Sequence, residues 1–206
     1  MKKYYLIALA VVAALVACNK DPEVTKDKDG NTEENTAFVT KDATTVCINE
    51  VNGGTGYKGI ELYNPTDAEI NLEGYTIIKN DEEAVYWTGV NGDKIAAKGY
   101  LVIRASKETG ELDALTNLSV DKGTGGLSGK KIVKLDLKDA TKIIDTFDRG
   151  WTKHWDGSTE LGLSDAGTNS FARQQDGKKT WKVMSPTMGA TNAGATVVGD
   201  VTIDPE

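Results

Sequence analysis

The sequence predicts an all-β domain, folded as a β-sandwich or barrel. From residue 44 onward, short β-branched and aromatic runs alternate with clusters of Gly, Asn, Asp and Pro, which is the pattern of strands separated by turns. Some runs alternate polar and apolar residues, as in Ile132-Val133-Lys134-Leu135-Asp136-Leu137, so that one face of the strand can be buried. The one helix-like stretch, residues 107–118, is short. Many short strands at regular spacing favour a sandwich or barrel.

Eight segments carry the strand pattern. They cover residues 45–51, 59–63, 74–79, 85–88, 100–104, 131–137, 142–147 and 170–174. Turns are predicted at Asn64-Pro65-Thr66-Asp67 and at Asn91-Gly92-Asp93, where turn-forming residues cluster. The pattern fades after Asn192, so we expect the domain to span residues 44–192 and a flexible C-terminal tail to occupy residues 193–206.

The first 18 residues have the organisation of an export signal. Lys2 and Lys3 precede an apolar run over residues 6–17, which is shorter than the roughly 20 residues that a membrane-spanning helix needs but suits a signal peptide. The run ends in Leu15-Val16-Ala17-Cys18, which resembles the lipobox of bacterial lipoproteins. That resemblance implies cleavage before Cys18 and lipidation of its thiol. The alternative is an ordinary signal peptide that contains a cysteine.

A lipidated Cys18 would anchor the protein in the cell envelope, because two or more acyl chains hold a protein stably on a membrane. Asn19 follows the cysteine, where an Asp would retain some lipoproteins in the inner membrane. We therefore expect delivery to the outer membrane, with the domain facing either the periplasm or the cell surface. Residues 19–43 are rich in Asp, Glu, Lys, Asn and Thr, a composition that predicts a disordered tether.

The charge and the cysteine count exclude several classes of function. The net charge is −7, and without a basic block the chain is a poor candidate for binding nucleic acid. If Cys18 carries lipid, Cys47 has no cysteine partner within the chain. Because Cys47 lies in a β-prone run, it is expected to be a small buried hydrophobe, and the domain is expected to fold without a disulfide.

The sequence shows no convincing catalytic or metal-binding motif. His154 is the only histidine, and it is not accompanied by a Gly-x-Ser-x-Gly nucleophile motif. One histidine and one spare cysteine are too few for a zinc site. We therefore expect a protein that is not an enzyme and that has no cofactor, no metal and no catalytic residue. A hydrolase that uses paired carboxylates remains an alternative, since acidic residues are plentiful.

The richest local cluster for ligand binding contains Trp151, His154 and Trp155, interleaved with charged residues and flanked by Gly150 and Gly157. Exposed aromatic rings beside polar groups stack on sugars or anchor protein partners. The alternative is that the two tryptophans close one end of the core. We predict that both lie near one end of the sandwich and that at least one indole is substantially exposed.

Several sequence motifs follow one another in a recognisable order. The domain opens with Ile48-Asn49-Glu50-Val51 and Gly59-Ile60-Glu61-Leu62-Tyr63-Asn64-Pro65-Thr66, continues with Ile70-Asn71-Leu72-Glu73-Gly74-Tyr75-Thr76-Ile77 and closes with Ser185-Pro186-Thr187-Met188-Gly189-Ala190-Thr191-Asn192. Together with shorter matches between them, these motifs resemble the lamin tail domain family over about Val46 to Asn192. Tyr75 and Met188 stand where the family usually has Trp and often has Pro. The resemblance implies an immunoglobulin-like β-sandwich without chemistry of its own, and bacterial members are mostly thought to be adhesion or targeting modules.

The resemblance favours a non-catalytic envelope lipoprotein that binds a protein or a glycan. Two alternatives stay open, an accessory or catalytic component of an extracellular hydrolase or nuclease system, and a passive structural component of the envelope. Glu50 and Glu61 lie in strand-like contexts, where a fixed carboxylate can accept hydrogen bonds from backbone amides or pair with a lysine. A shared cation site at these two residues is the alternative.

Overall fold

The computed structural model describes residues 41–54, 56–105, 110–151 and 166–201, together with the backbone of residues 25–26 and 32–33. The chain divides into two units, Met1–Thr36 and Ala37–Glu206. In the first unit, the two-residue strands β1 (Thr25–Lys26) and β2 (Thr32–Glu33) pair antiparallel. Among the residues with a described structure, no helix is long and apolar enough to cross a membrane.

The second unit is built from short strands. In chain order they are β3 (Cys47–Asn52), β4 (Gly59–Tyr63), β5 (Ile70–Asn71), β6 (Thr76–Lys79), β7 (Val85–Thr88), β8 (Lys94–Ile95), β9 (Tyr100–Arg104), β10 (Val133–Lys138), β11 (Ile143–Arg149), β12 (Ser170–Arg173), β13 (Trp181–Met184) and β14 (Val197–Asp200). A single 3-10 turn, Glu111–Ala114, lies between β9 and β10.

Two antiparallel sheets form an immunoglobulin-like β-sandwich. The larger sheet has the strand order β14-β13-β12-β3-β4-β9, and the smaller has the order β11-β10-β6-β7. Their inner faces supply the core, in which Phe147 of β11 lies 4.8 Å from Trp181 and 6.0 Å from Phe171, measured between ring centroids. The prediction of an all-β sandwich is confirmed.

A β-bulge in β3 decides which side chains face outward. Ile48 pairs with Leu62 and Val51 pairs with Ile60, but the register shifts between them. Strict alternation would place Ile48 and Val51 on opposite faces, yet both lie in the core. An extra residue in one strand allows this. The bulge therefore directs two consecutive polar side chains, Asn49 and Glu50, away from the core.

The predicted strands 59–63, 85–88 and 100–104 are found with the same bounds, and the other five differ by at most two residues at either end. Two other expectations are wrong. In the described part of the helix-like stretch, residues 110–118, the helical structure is limited to the short 3-10 turn, because the apolar residues there contribute to a second, smaller cluster around Leu112. The chain after Asn192 is not simply a flexible tail, because Val197–Asp200 pairs with β13.

The N-terminal boundary of the domain also lies earlier than residue 44. Ala43 donates its backbone N–H to the carbonyl of Gly177 at 2.7 Å. The carboxylate of Asp42 lies 3.0 Å from the ammonium of Lys178. The last residues of the predicted tether, from Lys41 onward, are thus part of the folded domain.

A chain that starts at residue 44 should melt a few degrees below one that starts at residue 41, because it lacks these contacts. Starting at residue 41 instead of residue 19 should change the melting temperature much less. Circular dichroism melts of the three chains provide the comparison. Equal melting temperatures for the 41 and 44 starts would show that the contacts of residues 41–43 add nothing to stability.

Candidate functional site

Trp151 lies where β11 leaves the smaller sheet. Gly150 turns the chain with a φ of +76°, and the backbone N–H of Trp151 donates to the Asp148 carboxylate at 2.9 Å. The Trp151 side chain is half-buried, and its indole Nε1–H donates to Oδ2 of Asp81 at 2.9 Å. Trp151 is therefore held where β11 ends, with part of its surface open to solvent.

Asp81 lies in the tight turn that joins β6 to β7. Asn80 and Asp81 both have a φ of +54°, a left-handed conformation that asparagine and aspartate adopt readily in two-residue hairpin turns. The backbone N–H of Glu82 closes the turn by donating to the Lys79 carbonyl at 3.0 Å. The backbone of Lys134 holds Asn80, which donates its N–H to the Lys134 carbonyl and accepts the Lys134 N–H at its side chain, both at 2.9 Å.

The two oxygens of Asp81 have different partners. Oδ2 binds the indole of Trp151, and Oδ1 binds the ammonium of Lys134 at 2.7 Å. The same ammonium lies 3.3 Å from Asp136. Burial alone would lower the pKa of Lys134, but these two carboxylates outweigh it and raise the pKa. Asn80, Asp81, Lys134 and Trp151, which we call the Trp151 corner, thus combine a ring, an anion and a cation.

The other two members of the predicted binding cluster, His154 and Trp155, lie outside the described residues, as does Cys18. Of the predicted binding cluster, the structure places only Trp151. The contribution of Asn80 and Asp81 was not predicted, because they lie about 70 residues away from Trp151 in the chain and only the sheet register brings them together.

The outer face of the larger sheet carries a buried carboxyl pair. Glu50 of β3 and Glu61 of β4 lie opposite each other in the strand register, and both are fully buried. Residues 185–195, which we call the strap, connect β13 to β14 across this face. Glu50 accepts a hydrogen bond from the backbone N–H of Thr187 at 3.1 Å, and its second oxygen lies within hydrogen-bond distance of the Thr187 hydroxyl, at 2.7 Å. Glu61 accepts the backbone N–H of Gly189 at 2.6 Å.

A third carboxyl group, that of Asp176, completes the attachment of the strap. It accepts hydrogen bonds from the hydroxyls of Tyr100 and Thr191 at 2.7 and 2.6 Å, and from the backbone N–H of Asn192 at 3.0 Å. The side chain of Asn49 donates to both Asp176 and Glu61, at 2.9 and 2.8 Å. Burial tends to raise the pKa of Asp176, but these donors outweigh burial and lower the pKa.

The family model described as Lamin Tail Domain matches residues 40–173. The chain belongs to the lamin tail domain family. The comparison with curated proteins and the comparison with solved structures each gave no match.

The residues that carry the resemblance to the lamin tail domain family have structural roles in this chain. Glu50 and Glu61 bind the strap at Thr187 and Gly189. Asn49 donates to Glu61 and to Asp176, which also holds the strap. The expectation that Glu50 and Glu61 bond to backbone amides is confirmed. The strap itself follows the segment that the family model matches, yet it is joined to that segment by this buried network.

The remaining candidate chemistry is limited. Cys47 is buried, and its Sγ lies 3.8 Å from the Tyr63 carbonyl. Burial raises the pKa of this thiol to about 12, so Cys47 is an unreactive part of the lamin tail domain, as predicted. Within the described ranges, no three His, Cys, Asp or Glu side chains are grouped so that they could hold a metal ion.

Proposed function

We propose that this protein is a lipid-anchored, non-catalytic binding module of the cell envelope, whose lamin tail domain binds a protein or a glycan through the Trp151 corner. The observation that carries the proposal is the hydrogen bond from the indole of Trp151, which is partly exposed, to the exposed carboxylate of Asp81. The tight turn at Asn80-Asp81 and the ion pair with Lys134 hold that carboxylate beside the ring.

The corner offers the groups that recognise a sugar or a polar protein loop. The face of an indole stacks on the C–H groups of a sugar ring or on an apolar side chain. Asp81, whose side chain is 56% exposed, and Lys134 stand beside the ring as an acceptor and a donor for hydroxyl or amide groups. Because Lys134 and Trp151 already fix the position of Asp81, little side-chain entropy would be lost when a ligand binds.

The anchor would be the lipidated Cys18, and residues 19–40 would connect it to the domain. Such a connection would hold the domain close to the membrane. The proposal places the domain on the outer membrane, with no nucleic acid among its partners.

Replacing Trp151 by alanine should weaken ligand binding by about 2 kcal/mol or more, since an aromatic anchor at the centre of a contact contributes at least that much. A glycan array and a panel of extracellular matrix proteins, probed with chains of residues 41–201, would first identify a ligand. The affinity of the Trp151→Ala variant for that ligand then gives the size of the effect.

Two control variants make the result specific. Val120→Ser changes another exposed apolar side chain, one that is 76% exposed, and should leave the affinity unchanged. Trp151→Phe retains a ring but loses the hydrogen bond to Asp81, so its affinity should lie between those of wild type and Trp151→Ala. Equal affinity of Trp151→Ala and wild type would remove the Trp151 corner from the binding site. An unfolded Trp151→Ala domain would show instead that this side chain closes the core.

A further inference from the structure

The hydroxyl of Thr187 lies between two hydrogen-bond acceptors. Its Oγ1 is 2.7 Å from Oε2 of Glu50 and 2.5 Å from Oδ1 of Asn192. A hydroxyl has one proton to donate, so it can satisfy only one of these contacts. The second contact therefore needs a proton that is carried by the partner of Thr187, either Glu50 or Asn192.

The orientation of the Asn192 amide settles which side supplies that proton. Its Nδ2 donates to the carbonyl of Arg173 at 2.7 Å, which turns Oδ1 towards Thr187. An amide oxygen has no proton, so the Thr187 hydroxyl must donate to Asn192. The contact between Thr187 and Glu50 then requires a proton on Oε2 of Glu50.

The other oxygen of Glu50 behaves as an acceptor. Oε1 accepts the hydroxyl of Ser170 at 2.5 Å and the backbone N–H of Thr187 at 3.1 Å. The proton of Ser170 is directed at Glu50 because the Ser170 oxygen itself accepts Nδ2 of Asn52 at 2.8 Å. The Thr187 N–H is shared with Oε2 through a longer contact of 3.3 Å. Oε1 therefore has the two closer donors, while Oε2 lies 2.7 Å from a hydroxyl whose own proton goes to Asn192, which is the pattern of a neutral carboxylic acid.

We infer that Glu50 is a neutral carboxylic acid in the folded domain, and that its proton, donated from Oε2 to Thr187, latches the strap onto the outer face of the larger sheet. Loss of the proton would turn the hydrogen bond into a contact between two acceptors and would place a second negative charge opposite Glu61. The strap would then be released as the pH rises.

The contacts of Glu61 favour its ionised form, since both of its oxygens accept N–H groups, from Asn49 and Gly189. Burial opposes this and raises the pKa of Glu61 well above its ordinary value. Among the described residues, the charged or titratable groups around the pair are Asp176, Tyr100 and Cys47, with Arg173 and Asp145 beyond Cys47. Asp176 adds a negative charge, which further favours keeping the proton on Glu50.

The direction in which the pKa values of the two glutamates are shifted determines how the stability of the domain depends on pH. Burial raises the pKa of Glu50, although the hydrogen bonds from Ser170 and Thr187 oppose it. Burial raises the pKa of Glu61 well above its ordinary value, and a charge on Glu50 would raise it further. A raised pKa means that the folded state keeps a proton that the unfolded state releases, so stability falls as the pH rises from the ordinary glutamate value of about 4.3 to the folded pKa. Over that interval the unfolding equilibrium constant should rise by up to about tenfold per pH unit.

The decisive variant is Glu50→Gln in the full chain. A glutamine can place its NH₂ group on the Thr187 hydroxyl and its oxygen on Ser170, so it mimics the neutral acid permanently. We expect the variant to lose the part of the pH dependence that Glu50 causes, and to become progressively more stable than wild type as the pH rises. Denaturant unfolding from pH 5 to pH 9 measures both effects, and hydrogen exchange at the Gly189 N–H reports opening of the strap.

The matched control is Glu61→Gln. Because both oxygens of Glu61 accept N–H groups, the NH₂ group of a glutamine would face a donor, and the variant should be less stable than wild type throughout. A ¹³C titration of the glutamate side chains in the wild-type chain gives a readout without any substitution, with the Glu50 carboxyl expected at the chemical shift of a neutral acid at pH 7. An ionised Glu50 carboxyl at pH 7, or an unchanged pH dependence in Glu50→Gln, would overturn the inference.

Discussion

Replacing Arg173 by methionine is expected to lower the free energy of unfolding by about 3–5 kcal/mol, the cost of leaving one partner of a buried ion pair alone. Arg173 is fully buried, and its guanidinium lies 3.1 Å from both oxygens of Asp145. It also donates to the backbone carbonyls of Ile48 and Lys178, both at 2.8 Å. One side chain thus connects both sheets and the turn after β12.

The loss should depend on pH. Burial raises the pKa of Asp145 while Arg173 lowers it, so removal of the guanidinium should raise that pKa further. Because a carboxyl with a raised pKa is destabilising when ionised, the deficit of the variant should grow as the pH rises. Urea unfolding at pH 5 and pH 8 measures the difference.

The control is Lys178→Ala, which removes an exposed ion pair with Asp42 and should change stability far less. A loss in Arg173→Met no larger than in this control would mean that the buried guanidinium is not needed to hold the sheets together.

Replacing Cys18 by alanine is expected to abolish membrane association completely, because the proposed anchor has no other attachment point in the sequence. Metabolic labelling with an alkynyl fatty acid, followed by membrane fractionation, tests the substitution. Cys47→Ala is the matched control, since Cys47 is the only other cysteine and is buried. Undiminished label on Cys18→Ala, or loss of label in Cys47→Ala, would contradict the lipobox interpretation.

The sequence predicted most of the fold because the core strands follow simple alternation. Ile60 and Leu62 face inward and Glu61 faces outward, as the pattern indicates, and both apolar side chains are buried. The prediction was weakest where a strand has few residues or carries polar side chains. Val197–Asp200 contains a glycine and an aspartate and pairs only with β13, so its strand character depends on tertiary contacts that local pattern does not contain.

The candidate site was harder to predict. The tryptophans among residues 151–155 identified Trp151 as a candidate binding residue. The neighbouring sequence did not indicate that the Asp81 carboxylate accepts the indole N–H of Trp151. The burial of Glu50 and Glu61 was also unexpected for carboxylates on the outer face of a strand. It arises because the strap covers them, and the position of the strap is set by contacts between residues more than 120 positions apart in the chain.

The central claim is that the Trp151 corner contacts the ligand, and the indole N–H resonances test it most directly. In a ¹⁵N–¹H spectrum, addition of the ligand that binds most tightly on the array should shift the Trp151 Nε1–H resonance, because that group lies on Asp81 at the corner. The Trp87 resonance should stay in place, since its N–H donates to Ser119 inside the core. Saturating ligand that leaves the Trp151 resonance unmoved, while backbone resonances shift elsewhere on the domain, would contradict the account.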